Sequence, residues 1–151
     1  YEEFTKNGNY DYFRHVNTFG GSPAACAVAL KNLEIMEREN LFEQSSKMGA
    51  ILIDELKENL SHHLHVGDIR GKGLLIGIEL VEDQYTKNPL NIEKVNQVIA
   101  KCKERGLIIG KNGVTVAGYN NVLTLSPPLN ITTEEKDFIL SVLAQAINET
   151  L

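Results

Sequence analysis

The sequence predicts an α+β domain: a small sheet covered by helices, largely on one face. Three observations carry this. Apolar stripes at helical spacing occupy most of the chain. The remaining apolar runs are too short for helices and are bounded by Gly or Pro. The two kinds then alternate in the order helix, helix, strand, helix, strand, strand, helix. With 151 residues, 42% hydrophobic and 23% charged, the chain can bury one substantial core.

Each element has its own justification. The opening "YEEFTKNGNYDYFRH" has neither helical nor strand periodicity and no initiator Met, and is expected to continue a longer chain. Ser22 is suited to an N-cap and Pro23 to the first helical position, with Ala27, Leu30, Leu33 and Ile35 following at core-facing intervals to about Glu39. Leu41, Met48, Ile51, Leu52, Leu56 and Leu60 make the stripe of a second helix. Gly67, Gly71, Gly73 and Gly77 break helix, and Gly71 and Gly73 then read as turn or bulge glycines at the entrance of a strand over about 74–81. In "NIEKVNQVIAKCKERG", Asn91 is the expected cap, Val95, Val98, Ile99 and Cys102 share a face, and Gly106 closes the helix. "LIIG" and "NVLTLSPP" are short strands, the second ended by prolines that cannot continue a ladder. Thr132 or Thr133 caps the last helix, with the Thr-x-x-Glu spacing of a capping box.

Several function classes are excluded. A formal net charge of −5 with no basic face argues against binding nucleic acid or acidic lipid. No apolar run approaches a membrane span and no leader pattern is visible, so a cytoplasmic protein is expected, with Cys26 and Cys102 as buried reduced thiols. His62, His63 and His65 lack the converging spacing of metal ligands, and no metal site is expected. The glycines of "RGKGLLIG" precede a strand, whereas a dinucleotide fingerprint opens a helix; Arg70 either pairs a carboxylate or reaches a ligand. No nucleophile elbow or Ser/His/Asp set is present.

The stretch "HVNTFGGSPAACAVAL" is the best candidate for binding. A helix N-terminus exposes unpaired N–H groups and a positive dipole end. Gly20 and Gly21 permit close backbone approach, and the Thr18 hydroxyl can donate to a phosphate oxygen. The same residues also suit a plain cap and turn, and spacing does not separate the two readings.

Taken in order, "HVNTFGGSPAACAVALKNLEIME", "DIRGKGLLIGIELVED", "KERGLIIG" and "VLTLSPPLNITTEE" resemble the C-terminal portion of class III aminotransferases. These are pyridoxal-phosphate enzymes of fold type I that include ω-amino-acid, ornithine and 4-aminobutyrate aminotransferases. The resemblance runs from about Phe13 to the end. It implies that residues 1–22 close the large cofactor-binding domain, and that 23–151 form the interdomain helix and the C-terminal small domain. Thr18 would donate to the phosphate of pyridoxal phosphate held mainly by the other subunit of a homodimer, with Phe19 and Gly20 placing it. The family's Schiff-base lysine, and the Asp that pairs with the cofactor's ring nitrogen, lie upstream of the motif. No lysine here stands in the required context, so no catalytic residue is assigned and the isolated chain is expected to be inactive.

The implied reaction moves an amino group from an amine or amino acid to a 2-oxo acid. Ornithine-type relatives carry an Arg for a substrate carboxylate where this chain has Thr124, and no Arg follows Arg105. Thr cannot form a bidentate clamp, so an ω-amine or ω-amino-acid donor is expected. The loop "GVTVAGYNN" is positioned to line the substrate entrance. Two alternatives stand beside this reading: a free-standing α+β module binding a phosphorylated small molecule at Thr18–Ser22, and a dimerisation scaffold without ligand.

Overall fold

The glycine-rich segment after residue 65 builds two strands where one was expected. In the computed structural model, which describes residues 17–114 and 116–151, β1 (Val66–Lys72) turns at Gly73 into β2 (Leu75–Leu80). They pair antiparallel, with Ile69 opposite Ile78 and Arg70 opposite Gly77. Gly73 makes the turn with φ +54, a conformation open to glycine. Gly67 sits at a register shift between Val66 and Asp68, where a Cβ would lie 2.6 Å from Val81 Cγ1. The turn reading therefore holds for Gly73, whereas the bulge lies at Gly67, where none was expected. Gly71 lies within the ladder, opposite Ile76. β1 was not recognised because its seven residues include two glycines and three charges that break the apolar alternation.

The chain divides into two units, Tyr1–Glu39 and Asn40–Leu151. In the first, the described residues form a turn at Thr18–Gly21 and helix α1 (Pro23–Arg38). The opening stretch expected to close a larger domain falls mostly outside the described residues. Helix α1 forms as expected, but none of its residues is buried: Val28, Leu30 and Leu33 are 71%, 68% and 52% exposed. The expectation that Ala27, Leu30, Leu33 and Ile35 face a core is thus not met. Cys26 on this helix is also exposed, correcting its reading as a buried thiol.

The second unit is the expected α+β layer. Its remaining elements are α2 (Leu41–Leu60), α3 (Ile92–Glu104), β3 (Gly110–Lys111), β4 (Val122–Leu125) and α4 (Thr133–Thr150). The four strands form one antiparallel sheet in the order β1-β2-β4-β3. Ile69, Ile76, Ile78, Leu80, Leu123 and Leu125 alternate onto one face, where Leu52, Leu56, Val98, Cys102, Leu143 and Ile147 of the helices cover them. Each fully buried aliphatic side chain contributes about 1.5–3 kcal/mol, so this single layer carries most of the stability.

Local signals set the helix ends. The Asn91 side chain accepts from Glu93 N at 2.7 Å, and Gly106 follows α3 with φ +85. Thr132 and Glu135 make the reciprocal bonds of a capping box. Asn40 precedes α2 in the left-handed region, which Asn tolerates better than most residues. Of the stripe read for α2, Leu41, Leu52, Leu56 and Leu60 are buried, whereas Ile51 is exposed. No helix among the described residues is long and apolar enough to cross a membrane.

Candidate functional site

The Thr18 turn is built from the backbone. Gly20 N donates to Asn17 O at 2.9 Å, and Gly21 continues with φ +77. A Cβ on Gly20 would stand 3.1 Å from Asn17 O, tighter than an ordinary contact. Ser22 then enters α1, its carbonyl accepting from Cys26 N at 2.9 Å. Ser22 occupies the N-cap position, but its side chain makes no capping hydrogen bond, and the first turn of α1 holds no acidic residue. Pro23 brings no N–H, so the free donors of the turn begin after it.

These features bear on the two readings left open by spacing. Among the described residues, the Thr18 hydroxyl has no hydrogen-bond partner, and Thr18, Phe19 and Gly20 are all exposed. A plain cap would use the hydroxyl of Ser22 or Thr18 on the helix. Here both remain available beside an uncompensated positive helix end, an arrangement that suits a phosphate dianion.

The second unit places Thr124 between two glycines. It pairs with Gly77 of β2 on one side and Gly110 of β3 on the other. A Cβ on Gly110 would lie 2.7 Å from Thr124 Oγ1, so the Thr side chain leans over that glycine. Thr124 and Gly110 line a cavity of about 380 Å³ whose other walls include Ile108, Pro127, Pro128 and Phe138. The sequence offered Thr124 as a departure from a family pattern; it held no signal for the cavity, which assembles residues from β3, β4 and α4.

The remaining candidates are structural. Arg70 Nη1 donates to Asp68 Oδ2 at 2.8 Å and Glu79 Oε2 at 2.6 Å, and these hydrogen bonds hold its pKa above the ordinary value. Arg70 thus pairs carboxylates on the face of the sheet away from the helices. Asn112 organises the described part of the loop "GVTVAGYNN": its amide donates to Tyr119 O at 2.5 Å and its Oδ1 accepts from Val122 N at 2.9 Å. Thr115 of that loop lies outside the described residues.

No group of three or more His, Cys, Asp and Glu among the described residues is arranged to hold a metal ion. The single buried lysine among them is Lys136, which is paired with Glu55 and Asp137. Burial works to lower its pKa, but the hydrogen bonds of the two carboxylates outweigh that and raise it. A nucleophilic amine needs the opposite shift, so Lys136 is a structural cation.

Comparison with known proteins gives these features a context. A family model described as aminotransferase class-III matches residues 2–147. A Bacillus subtilis (strain 168) protein named uncharacterized aminotransferase YhxA is 60% identical over 146 residues, covering 97% of this chain and 32% of the relative. The taurine–pyruvate aminotransferase of Bilophila wadsworthia is 43% identical over 135 residues, covering 89% of this chain and 30% of that enzyme. Among solved structures, a Bacillus anthracis aminotransferase superimposes with TM-score 0.87 at 58% identity, covering 99% of this chain and 33% of that one. The chain therefore spans about a third of the length of the curated relatives it matches.

Proposed function

Because the chain belongs to the class III aminotransferase family, whose members are pyridoxal-phosphate enzymes, we propose that it is the C-terminal part of a transaminase acting as a homodimer. Residues 1–22 close the large cofactor-binding domain, and 23–151 supply the interdomain helix and the small domain. The observation that carries the cofactor assignment is the Thr18 turn: an exposed hydroxyl with no hydrogen-bond partner among the described residues, beside a helix end with neither a side-chain cap nor an acidic first turn.

The residues present fit one part of the cofactor, its phosphate. Thr18 donates its hydroxyl to a phosphate oxygen, the Gly20–Gly21 turn lets the backbone approach, and Phe19 sets the position of Thr18. The cofactor's ring supplies the electron-accepting group that amino transfer requires. This segment holds the anion across the subunit boundary and contributes no catalytic base, so by itself the chain is inactive.

The donor is an ω-amine or ω-amino acid and the acceptor a 2-oxo acid. Thr124 offers one neutral hydroxyl, so β4 provides no bidentate grip for a carboxylate. The taurine–pyruvate relative supports this choice, since taurine is a primary amine without a carboxylate. The test is the whole enzyme supplied with pyruvate and a donor panel of taurine, β-alanine, a simple primary amine and several 2-amino acids, with alanine formation as readout. Turnover with the first three is expected. Turnover confined to 2-amino acids would overturn the donor assignment, and no turnover with any donor in a cofactor-loaded dimer would overturn the reaction.

A further inference from the structure

The connection between α2 and β1 contains a hydrogen bond that one protonation reverses. His65 N donates to His63 Nδ1 at 3.2 Å, which makes Nδ1 an acceptor and His63 a neutral ring protonated at Nε2. The same turn is held by His63 N on Leu60 O and Val66 N on His63 O, both 3.0 Å. From the β2–α3 connection, Gln84 Nε2 reaches across to Ser61 O at 2.7 Å, His63 O at 3.0 Å and Val66 O at 3.1 Å. One side chain thus ties two loops together, and its acceptors are presented only while the His63 turn is closed.

We propose that this turn is an acid-sensitive latch: a proton on His63 Nδ1 turns an acceptor into a donor facing the His65 N–H, opens residues 61–66, and frees Gln84 with the 82–90 loop. His65 does not act this way. Its Nδ1 lies 3.0 Å from Val81 O, and a protonated ring still donates there.

The charges around the latch favour opening once acid is added. His63 faces His65, with ring centroids 5.8 Å apart, and His62, and the electrostatic influence of both disfavours a cationic His63 within the closed turn. Burial, followed by these two neighbours, keeps the His63 pKa below the ordinary 6.5, so the latch is closed at neutral pH. Asp83, in the Gln84 loop, acts on His65. Lys57, Asp68 and Lys87 line the groove beside Ser61, Val66 and Gln84 on the other side of the turn.

Hydrogen–deuterium exchange on the whole protein, corrected for the intrinsic pH dependence of amide exchange, tests the latch. Protection of peptides 61–67 and 82–90 should fall together as pH drops from the ordinary histidine value of 6.5 toward the lowered value of closed His63, by up to about tenfold per pH unit, and level off below it. His63→Asn keeps an acceptor oxygen that cannot be protonated, and its protection should stay flat over the same range. Wild-type protection that is independent of pH, or an unchanged pH dependence in His63→Asn, overturns the proposal. Should that variant fold poorly, the ring-nitrogen NMR shift of His63 in the wild type decides: protonation of Nδ1 in step with lost protection supports the latch, and protonation without it overturns it.

Discussion

Gly49, in the middle of α2, lies so close to Gly73 in the β1–β2 turn that any Cβ on Gly49 would overlap the Gly73 carbonyl. Ser45 is the neighbouring contact, its Oγ accepting from Leu74 N at 3.4 Å. The hairpin is therefore seated on α2 backbone to backbone.

Gly49→Ala should destabilise the protein despite alanine's better helix propensity. The propensity gain is about 1 kcal/mol, whereas forcing backbone apart reaches or exceeds the upper end of the ~1–3 kcal/mol known for overpacking. Chemical denaturation should show a lower midpoint. An unchanged midpoint would mean that the hairpin is free to lift from α2.

Lys136 and Glu55 join α4 to α2, and removing either partner should have unequal effects. Lys136 has a side chain only 4% exposed, while that of Glu55 is 32% exposed. Glu55→Ala leaves a buried cation with Asp137 alone and should cost about 1–3 kcal/mol, reduced from a fully buried pair by the exposure of Glu55. Lys136→Met fills the same space without charge and should cost less. Because the folded-state pKa of Lys136 is raised, its contribution is present below the ordinary lysine value of 10.5 and is lost as pH rises through the folded value. Denaturation midpoints of both variants and of the wild type at alkaline pH provide the check.

Thr18→Ala in the whole enzyme should weaken retention of pyridoxal phosphate. Losing one hydrogen bond to a charged oxygen removes about 1.5–3 kcal/mol, or roughly 10- to 150-fold in affinity. Thr18→Ser should recover most of it. Cofactor release followed by absorbance during dialysis measures this, and equal retention in all three proteins would remove Thr18 from the site.

The two thiols should differ sharply in reactivity. Burial pushes the Cys102 thiol up to about 11, despite the opposing charge of Arg105, whereas Cys26 is exposed. At neutral pH a thiol reagent should modify Cys26 in the folded 151-residue chain and reach Cys102 only on unfolding. Peptide mass mapping of the labelled protein distinguishes them.

Much of the second unit was legible because its signals are local. Asn91, Gly106 and the Thr132–Glu135 box each act within one turn of a helix, and each lies where its spacing placed it. The β1 strand was not legible: Asp68 and Arg70 look like loop residues until Glu79 of the neighbouring strand supplies the second carboxylate. The α1 stripe was misread for the converse reason. Periodicity records that a helix has an apolar face, and what covers that face is not encoded in the helix.

The sequence by itself determined the α+β class, the helix ends and the glycine-rich turn at Thr18, because caps, glycines and apolar periods act over a few neighbouring residues. Tertiary structure alone decided that Gly49 must admit the hairpin, that Thr124 leans over Gly110 at a cavity wall, and that Lys136 finds Glu55. Those relationships join residues far apart in the chain. Their energies come from close packing and shared burial, which exist only once the sheet and helices have closed on one another.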